Sequence, residues 1–513
     1  MHDLLGSVQR TTKAAVLVTI LAVVYSGFRI HAPSFWVDEA ATVSAIDRSL
    51  PDLIRMLGII DAVHGFYYLL LRGWATLFGV SEVALRLPSL LAVGVAAGLV
   101  VAIGRRIGGL AYGLTAATLL VLLPRTQYVA TDARSYALAL AASVAATYFL
   151  VRARELPRRR FWVGYAAAGL LATLLSFYTV LVLVAHAVTV CLDRRLRRSW
   201  RPFLAASPAW LVPAACLAAI GAGQQFQIAW IRPIDSGVVA EVALLQFFSD
   251  AYLMLDGAIS PLPTPGENLT TVGLAVILWG MALVGAIRLR RHFAVKLAVP
   301  LLVVPLLCVI GGSLILGSPY YLPRYLTFIL PTVPLLAAAA VLRAGEPASG
   351  RRPAMASSRE RRAAAGVLVA VALLALPSYL GQRTEYGRSP QDDFRFVADT
   401  IRDEAEAGDA IALTGDAGLG RIAYQDSFAG LDDITIGKTA DEWGRIYDQR
   451  FDVDSVEDRI LPHDVVWVVY PRGERAPERT LRSLGYGADA RFDGTGTSVV
   501  RFTREGSAGY SPP

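Results

Sequence analysis

Apolar runs close to the length of a bilayer crossing recur along this chain, and they constrain its fold more than any other feature. A helix needs ~20 consecutive apolar residues to cross the hydrocarbon core. About eleven stretches approach that length: roughly 14–31, 83–104, 110–127, 132–151, 161–177, 178–193, 203–221, 269–287, 294–317, 322–343 and 363–380. Of the 513 residues, 54% are hydrophobic and only 18% charged, too few charges for a soluble protein of this size. The expected fold is therefore a polytopic α-helical membrane protein with about eleven transmembrane helices. Its net charge of +7 is not a nucleic-acid signal, because the basic residues lie in clusters between the runs, where membrane topology places them. Membrane lipids are the expected surroundings, and nucleic acid is not an expected partner. Cys191, Cys216 and Cys308 fall in apolar runs and read as small core residues rather than disulfides.

The basic clusters set the orientation. Arg10 and Lys13 precede the first run, which puts the N-terminus in the cytoplasm. The segment 64–79 is apolar but short of a full span. If it does not cross, the clusters at Arg105 and Arg106, Arg152 to Arg160, Arg194 to Arg198, Arg288 to Arg291 and Arg351 to Arg362 all fall in the cytoplasm. If it crosses, all five fall outside, so the non-crossing reading wins. Residues 1–380 then form a membrane domain in the plasma membrane, with outer loops at 32–82 and 222–268. The first loop carries "VSAIDRSLPDLIRML", an amphipathic stretch suited to the interface. Residues 381–513 change character, alternating strand-like runs ("DAIALTG", "DVVWVVYP") with helical ones ("DDFRFVADTIRDEAEA"). They read as a small extracytoplasmic α/β domain. "DGTGTS" at 493–498 reads as a β-turn between two strands rather than a phosphate loop.

Charges gather at one membrane edge. Asp38 and Glu39 in "SFWVDEAATVS", His64, Glu82, Arg86, Arg125, Asp132, Arg134 and Arg324 all map near the outer face, where arginine runs against the positive-inside bias. Each has a structural explanation of its own. Asp38 or Ser34 would cap a helix, Asp132 would cap the span opening "DARSYAL", Glu82 would pair with Arg86, and Arg324 would reach to headgroups. His186, inside a span, reads as a packing residue. Several such residues at one depth on separate segments favour a shared anionic site. Neighbouring carboxylates diverge by ~100° on a helix, so Asp38 and Glu39 must face different partners. One division makes Asp38 a general base and gives Glu39 a metal, a basic side chain or the loop backbone.

That kit fits transfer of a sugar from a lipid phosphate. Phosphate is already a good leaving group, the acceptor hydroxyl needs a base, and departing charge needs a cation. A single displacement inverts the anomeric centre.

The stretches "FWVDEA", "VHGFYYLLLRGWATLFGVSEVALRLPSLL", "YVATDARSYALAL" and "YLPRYLTFILP" resemble the GT-C glycosyltransferases, in the bacterial branch similar to protein O-mannosyltransferases and the lipid A aminoarabinose transferase. The resemblance covers roughly residues 14–343. It implies an inverting enzyme with a polyprenyl-phosphate sugar donor and Asp38 as catalytic base. It places Asp132, Arg134 and Tyr136 in a second outer motif and Arg324, with Tyr325 beside it, at the donor phosphate; Arg86 and His64 complete the substrate-binding set. Relatives often carry two prolines where this chain has Gly65 and Phe66. Relatives also differ over metal, so a divalent ion stays open, with Glu39 and His64 as the ligands the first loop offers. Mannose is the favoured sugar and arabinofuranose or another pentose the second, with a glycan, lipid or protein acceptor. A transporter or flippase of lipid-linked sugars, which would carry polar broken helices at the midplane, and a non-catalytic scaffold are the rivals.

Overall fold

The computed structural model describes residues 2–249, 253–255, 258–260, 265–342, 356–389, 391–474 and 476–506. Arg351 and Arg352 of the last basic cluster, and parts of the 222–268 loop, lie outside the described residues. The chain divides into two compact units: Met1–Ile30 with Arg86–Gly381, and His31–Leu85 with Gln382–Pro513. This division differs from the expected one, because the first long loop clusters with the tail rather than with the helices.

The first unit is helical. Among the described residues, six helices are long and apolar enough to cross a membrane: Glu82–Gly108 (whose first residues belong to the second unit), Tyr136–Glu155, Trp200–Ala222, Leu269–Arg288, Phe293–Leu316 and Ser358–Gly381. A seventh candidate is a pair, Pro323–Ile329 and Thr332–Val341, bent by 50°. The remaining expected spans are also helical. The first is His2–Ser26, while Arg159–Leu175 and Val180–Leu192 are short. The run at 110–127 is broken into Leu110–Leu122 and Pro124–Ala130, because Pro124 has no N–H to continue the ladder and instead opens a new helix.

The second unit is mixed α/β. We number the strands of its five-stranded sheet β1 (Ala410–Leu413), β2 (Asp432–Asp433), β3 (Val465–Pro471), β4 (Tyr486–Asp493) and β5 (Thr497–Arg504). The spatial order is β2-β1-β3-β5-β4; β1 runs parallel to β2 and β3, while β5 is antiparallel to β3 and β4. Both faces are covered. Ile411, Leu413, Trp467 and Val469 pack against Val397, Ala398 and Ile401 of the helix Phe394–Glu404. Ala410, Ala412, Val466 and Val468 pack against Ile460 and Leu481 on the other side. Two-sided burial explains why "VVWVV" is apolar without alternation. "DGTGTS" is the turn joining β4 and β5, as its composition suggested.

The first long loop forms helices Val37–Asp47, Leu50–Ile59 and Gly65–Phe78. The amphipathic stretch is therefore not one interfacial helix. Ser49 caps the second helix by accepting the Asp52 N–H, and Pro51 lies in its first turn, so the chain restarts there. Val43, Ile46, Leu53 and Met56 are buried within the protein. Gly65–Phe78 has 14 residues, about 21 Å at 1.5 Å per residue, which is shorter than a bilayer core.

Candidate functional site

Two groups of the singled-out residues form, one in each unit. In the mixed unit, tail side chains hold the backbone leading to Asp38. The Ser34 N–H donates to the Glu385 carbonyl at 2.9 Å, and the Phe35 N–H donates to the Tyr424 hydroxyl at 3.0 Å. The Val37 N–H donates to Asp392 Oδ2 at 3.1 Å. Arg395 reaches the carbonyls of His31, Ala32 and Pro33 at 3.0, 2.8 and 3.0 Å, and pairs with Glu82 at 2.6 Å. Tyr424 also donates to Glu82 at 2.8 Å. Neither Ser34 nor Asp38 caps the helix: Trp36 is at the cap position without a side-chain bond. Asp38 lies in the first turn and is half-buried, whereas Glu39 is fully buried.

Electrostatics in this group is unusual. Burial pushes the Asp392 carboxyl up to about 7, and repulsion from Asp416 and Asp38 adds to it, against the stabilising Val37 N–H. Burial also raises Asp416, and it raises Tyr424 to about 12 with help from Glu82. Asp392, which holds the start of the Asp38 helix, is thus repelled by two other carboxylates.

His64 stands beside this helix system, half-buried, with Nε2 3.9 Å from Asp61 Oδ1. Asp61, in a left-handed conformation (φ 63°), accepts the Tyr68 hydroxyl. Among the described residues no group of three or more His, Cys, Asp or Glu side chains could hold a metal ion. Glu39 and His64 alone do not make a donor set for one.

In the helical unit, Tyr136, which follows Asp132 and Arg134 in sequence, meets the segment carrying Arg324 and Tyr325. The helix Tyr136–Glu155 starts at Tyr136 with Ser135 at its cap position, so Asp132 is not the cap that its sequence suggested. Asp132 and Arg134 are buried, and the Arg134 carbonyl accepts the Ser89 hydroxyl at 3.2 Å. Thr327 donates to the Tyr136 carbonyl at 3.5 Å. The Tyr136 and Tyr325 rings lie 6.3 Å apart, and Tyr178 stacks on Tyr325 at 5.2 Å. Arg324 is 6% exposed, too enclosed for a side chain reaching freely to headgroups. Its guanidinium lies over the Trp230 ring at 5.5 Å and near Tyr325 at 6.0 Å, where cation–π attraction offsets some of its desolvation. The arrangement is a cation in an aromatic frame with a carboxylate and a second arginine on the adjoining segment, able to hold a phosphate and order a sugar.

Other predicted residues have structural tasks. Arg125 donates twice to the Leu245 carbonyl, at 3.2 and 2.9 Å. Arg86 is buried and donates to the Ile30 carbonyl at 2.9 Å. Glu82 takes Arg395 and Tyr424 as its partners. His186 is satisfied on both nitrogens, by Tyr165 at 3.1 Å and Thr147 at 3.2 Å, as a packing residue should be. The cysteines are on exposed helix faces rather than in the core. Asp392, Arg395, Tyr424, Tyr178 and Trp230 were missed by sequence reasoning. Only Trp230 had a signal, as an aromatic beside Arg232 in a polar loop.

A unit of apolar helices and an α/β unit in one chain match the GT-C glycosyltransferase fold. The structure of ArnT from Cupriavidus metallidurans bound to undecaprenyl phosphate matches with a TM-score of 0.57 at 16% identity, covering 98% of this chain and 99% of that one. The arabinofuranosyltransferase AftD from Mycobacteria matches with a TM-score of 0.52 at 15% identity, covering 96% of this chain and 40% of that one. Within this class, residues 65–220 match the family model of the dolichyl-phosphate-mannose-protein mannosyltransferases. No curated protein matches the chain by sequence. The resemblance read from the sequence motifs therefore stands at the level of fold and in this segment.

Proposed function

We propose that this protein is an inverting glycosyltransferase of the plasma membrane, moving a sugar from a polyprenyl-phosphate donor to an acceptor on the extracytoplasmic side. Asp38 accepts the proton of the acceptor hydroxyl while its oxygen forms a bond to the anomeric carbon. The bond from that carbon to the phosphate oxygen breaks, and polyprenyl phosphate leaves with the electron pair. Arg324 holds the phosphate and offsets the charge that develops there. Arg134, Tyr136 and Tyr325 frame the donor beside Asp132, His64 borders the substrate, and Arg86 supports the site through the Ile30 carbonyl. Glu39, fully buried one residue on, positions the helix that carries the base. Mannose is the favoured sugar and a pentose the second.

The observation that carries this reading is the half-buried Asp38 on a helix start held by Tyr424, Arg395 and Asp392. A general base needs such fixed geometry. The test is transfer by purified protein in nanodiscs from a panel of polyprenyl-phosphate sugars to extracted envelope glycans. Turnover with one donor that Asp38→Asn abolishes is expected. Equal turnover by the variant removes Asp38 from the role, and no turnover with any donor removes the enzyme reading.

A further inference from the structure

The mixed unit contains a cleft that the reading above does not use. It has a volume of about 420 Å³ and is lined by Asp392, Phe394, Thr414, Asp416, Arg472 and Thr497 among others, within the usual range for small-molecule sites. Its position follows from topology. Strands β1, β2 and β3 are parallel in the order β2-β1-β3, with β5 and β4 beyond β3, so the chain leaves β1 toward β2 on one side and leaves its neighbour β3 toward β4 on the other. The crevice at the carboxyl ends beside such a switch point is where open α/β sheets bind ligands. Thr414 follows β1 directly and Pro471 ends β3, so the cleft opens at that point.

Local structure keeps it open. The turn at 494–497 is tied to the start of the helix Phe394–Glu404, because Asp393 accepts the N–H groups of Gly496 and Thr497 at 3.0 and 3.2 Å. Gly496 fits there because a Cβ would come within 2.4 Å of Gln391 Cα. Asp416 is at the cap position of the helix Ala417–Ala423 yet makes no capping bond with its side chain. Its carboxylate lines the cleft instead.

The lining selects the ligand. Arg472, the lining's one basic residue, donates to the Gly494 carbonyl at 3.1 Å, and Asp392 and Asp416 line the same cleft, so the lining does not favour a phosphate or other anion. No three-donor metal group exists among the described residues. Carboxylates and threonine hydroxyls, lining the cleft together with Phe394, Tyr470 and Pro471, match a neutral sugar, whose hydroxyls donate and whose C–H faces are apolar. Asp392 joins this cleft to the catalytic helix: it lines the cleft and holds the Val37 N–H, one residue before Asp38.

We propose that this cleft binds a hydroxyl-rich glycan through Asp392, Thr414 and Asp416, and that the glycan is the acceptor. The acceptor role rests on the transferase reading above; the binding does not.

The experiment uses the full chain in nanodiscs, titrated with short mannose and arabinose oligosaccharides and read by saturation-transfer NMR. Asp416→Ala is compared with the exposed-site control Arg402→Ala, with melting temperature and undecaprenyl-phosphate binding as checks on folding. At least one oligosaccharide should bind, and Asp416→Ala should weaken it tenfold or more with both checks unchanged. Absence of binding to the native protein, unchanged affinity in Asp416→Ala, or an equal loss in Arg402→Ala overturns the inference. Binding without transfer from any donor supports the cleft and overturns the enzyme reading instead.

Discussion

Asp392 Oδ2 accepts the backbone N–H of Val37 at 3.1 Å across 355 residues of sequence. A tail carboxylate thus serves the open N-terminus of the helix on which Asp38 sits, a task usually done by a neighbouring side chain. The tail is therefore structural support for the first loop. The expected consequences follow from that relationship and from the aromatic frame around Arg324.

Asp38→Asn should keep the fold, since its neighbour Glu39 is the fully buried one. Removing a general base costs about 10²–10⁴-fold in rate. Single-turnover transfer should fall by that factor while donor binding holds. Loss of donor binding to the same degree would assign Asp38 to binding rather than to proton transfer.

Stability of the mixed unit should depend on pH through Asp392. Its folded carboxyl titrates at about 7, against ~3.9 in an unfolded chain. Between those values the folded form retains a proton that the unfolded form has lost. Its contribution is therefore greatest below pH 4, declines as pH rises to about 7, and is flat above. The slope approaches about 1.4 kcal/mol per pH unit. Burial raises it most, and the charges of Asp416 and Asp38 add to it. Chemical denaturation between about pH 4.5 and about pH 8 should show the decline in native protein and lose it in Asp392→Asn. An identical slope in both would assign the effect elsewhere.

Arg395→Ala removes four anchors together: three loop carbonyls and the Glu82 carboxylate. Leaving Glu82 partly buried without its cation costs about 3–5 kcal/mol. Hydrogen exchange should rise across residues 31–37 more than in the sheet. Uniform exchange throughout the unit would show that Arg395 supports the whole fold instead.

Arg324→Lys keeps the charge but loses the planar guanidinium over Trp230. Hydrogen bonds to charged groups contribute about 1.5–3 kcal/mol, so affinity for undecaprenyl phosphate should fall roughly 10- to 100-fold. Unchanged affinity would remove Arg324 from the phosphate.

Gly496→Ala places a methyl group 2.4 Å from Gln391 Cα, against backbone that cannot swing away. Overpacking of this kind costs about 1–3 kcal/mol. A lowered melting temperature with altered exchange at 391–397 is expected; native-like exchange there would mean the turn relaxes outward.

The sequence by itself determined the membrane class, the positions of the helical segments and the strands "AIAL" and "VVWVVYP". Each is written in local hydrophobic periodicity, which needs no distant partner. It also singled out Arg134 and Arg324, because charge beside an apolar run is costly wherever it occurs, whereas Tyr136 and Tyr325 entered only through the family resemblance. Only the tertiary structure decided that residues 31–85 fold with the tail. It also chose Asp392, Arg395 and Tyr424 as holders of the Asp38 helix and set Trp230 against Arg324. Those choices depend on hydrogen bonds and ring contacts between segments tens to hundreds of residues apart. An aspartate or tyrosine in a polar tail carries no local mark of the backbone N–H it will meet.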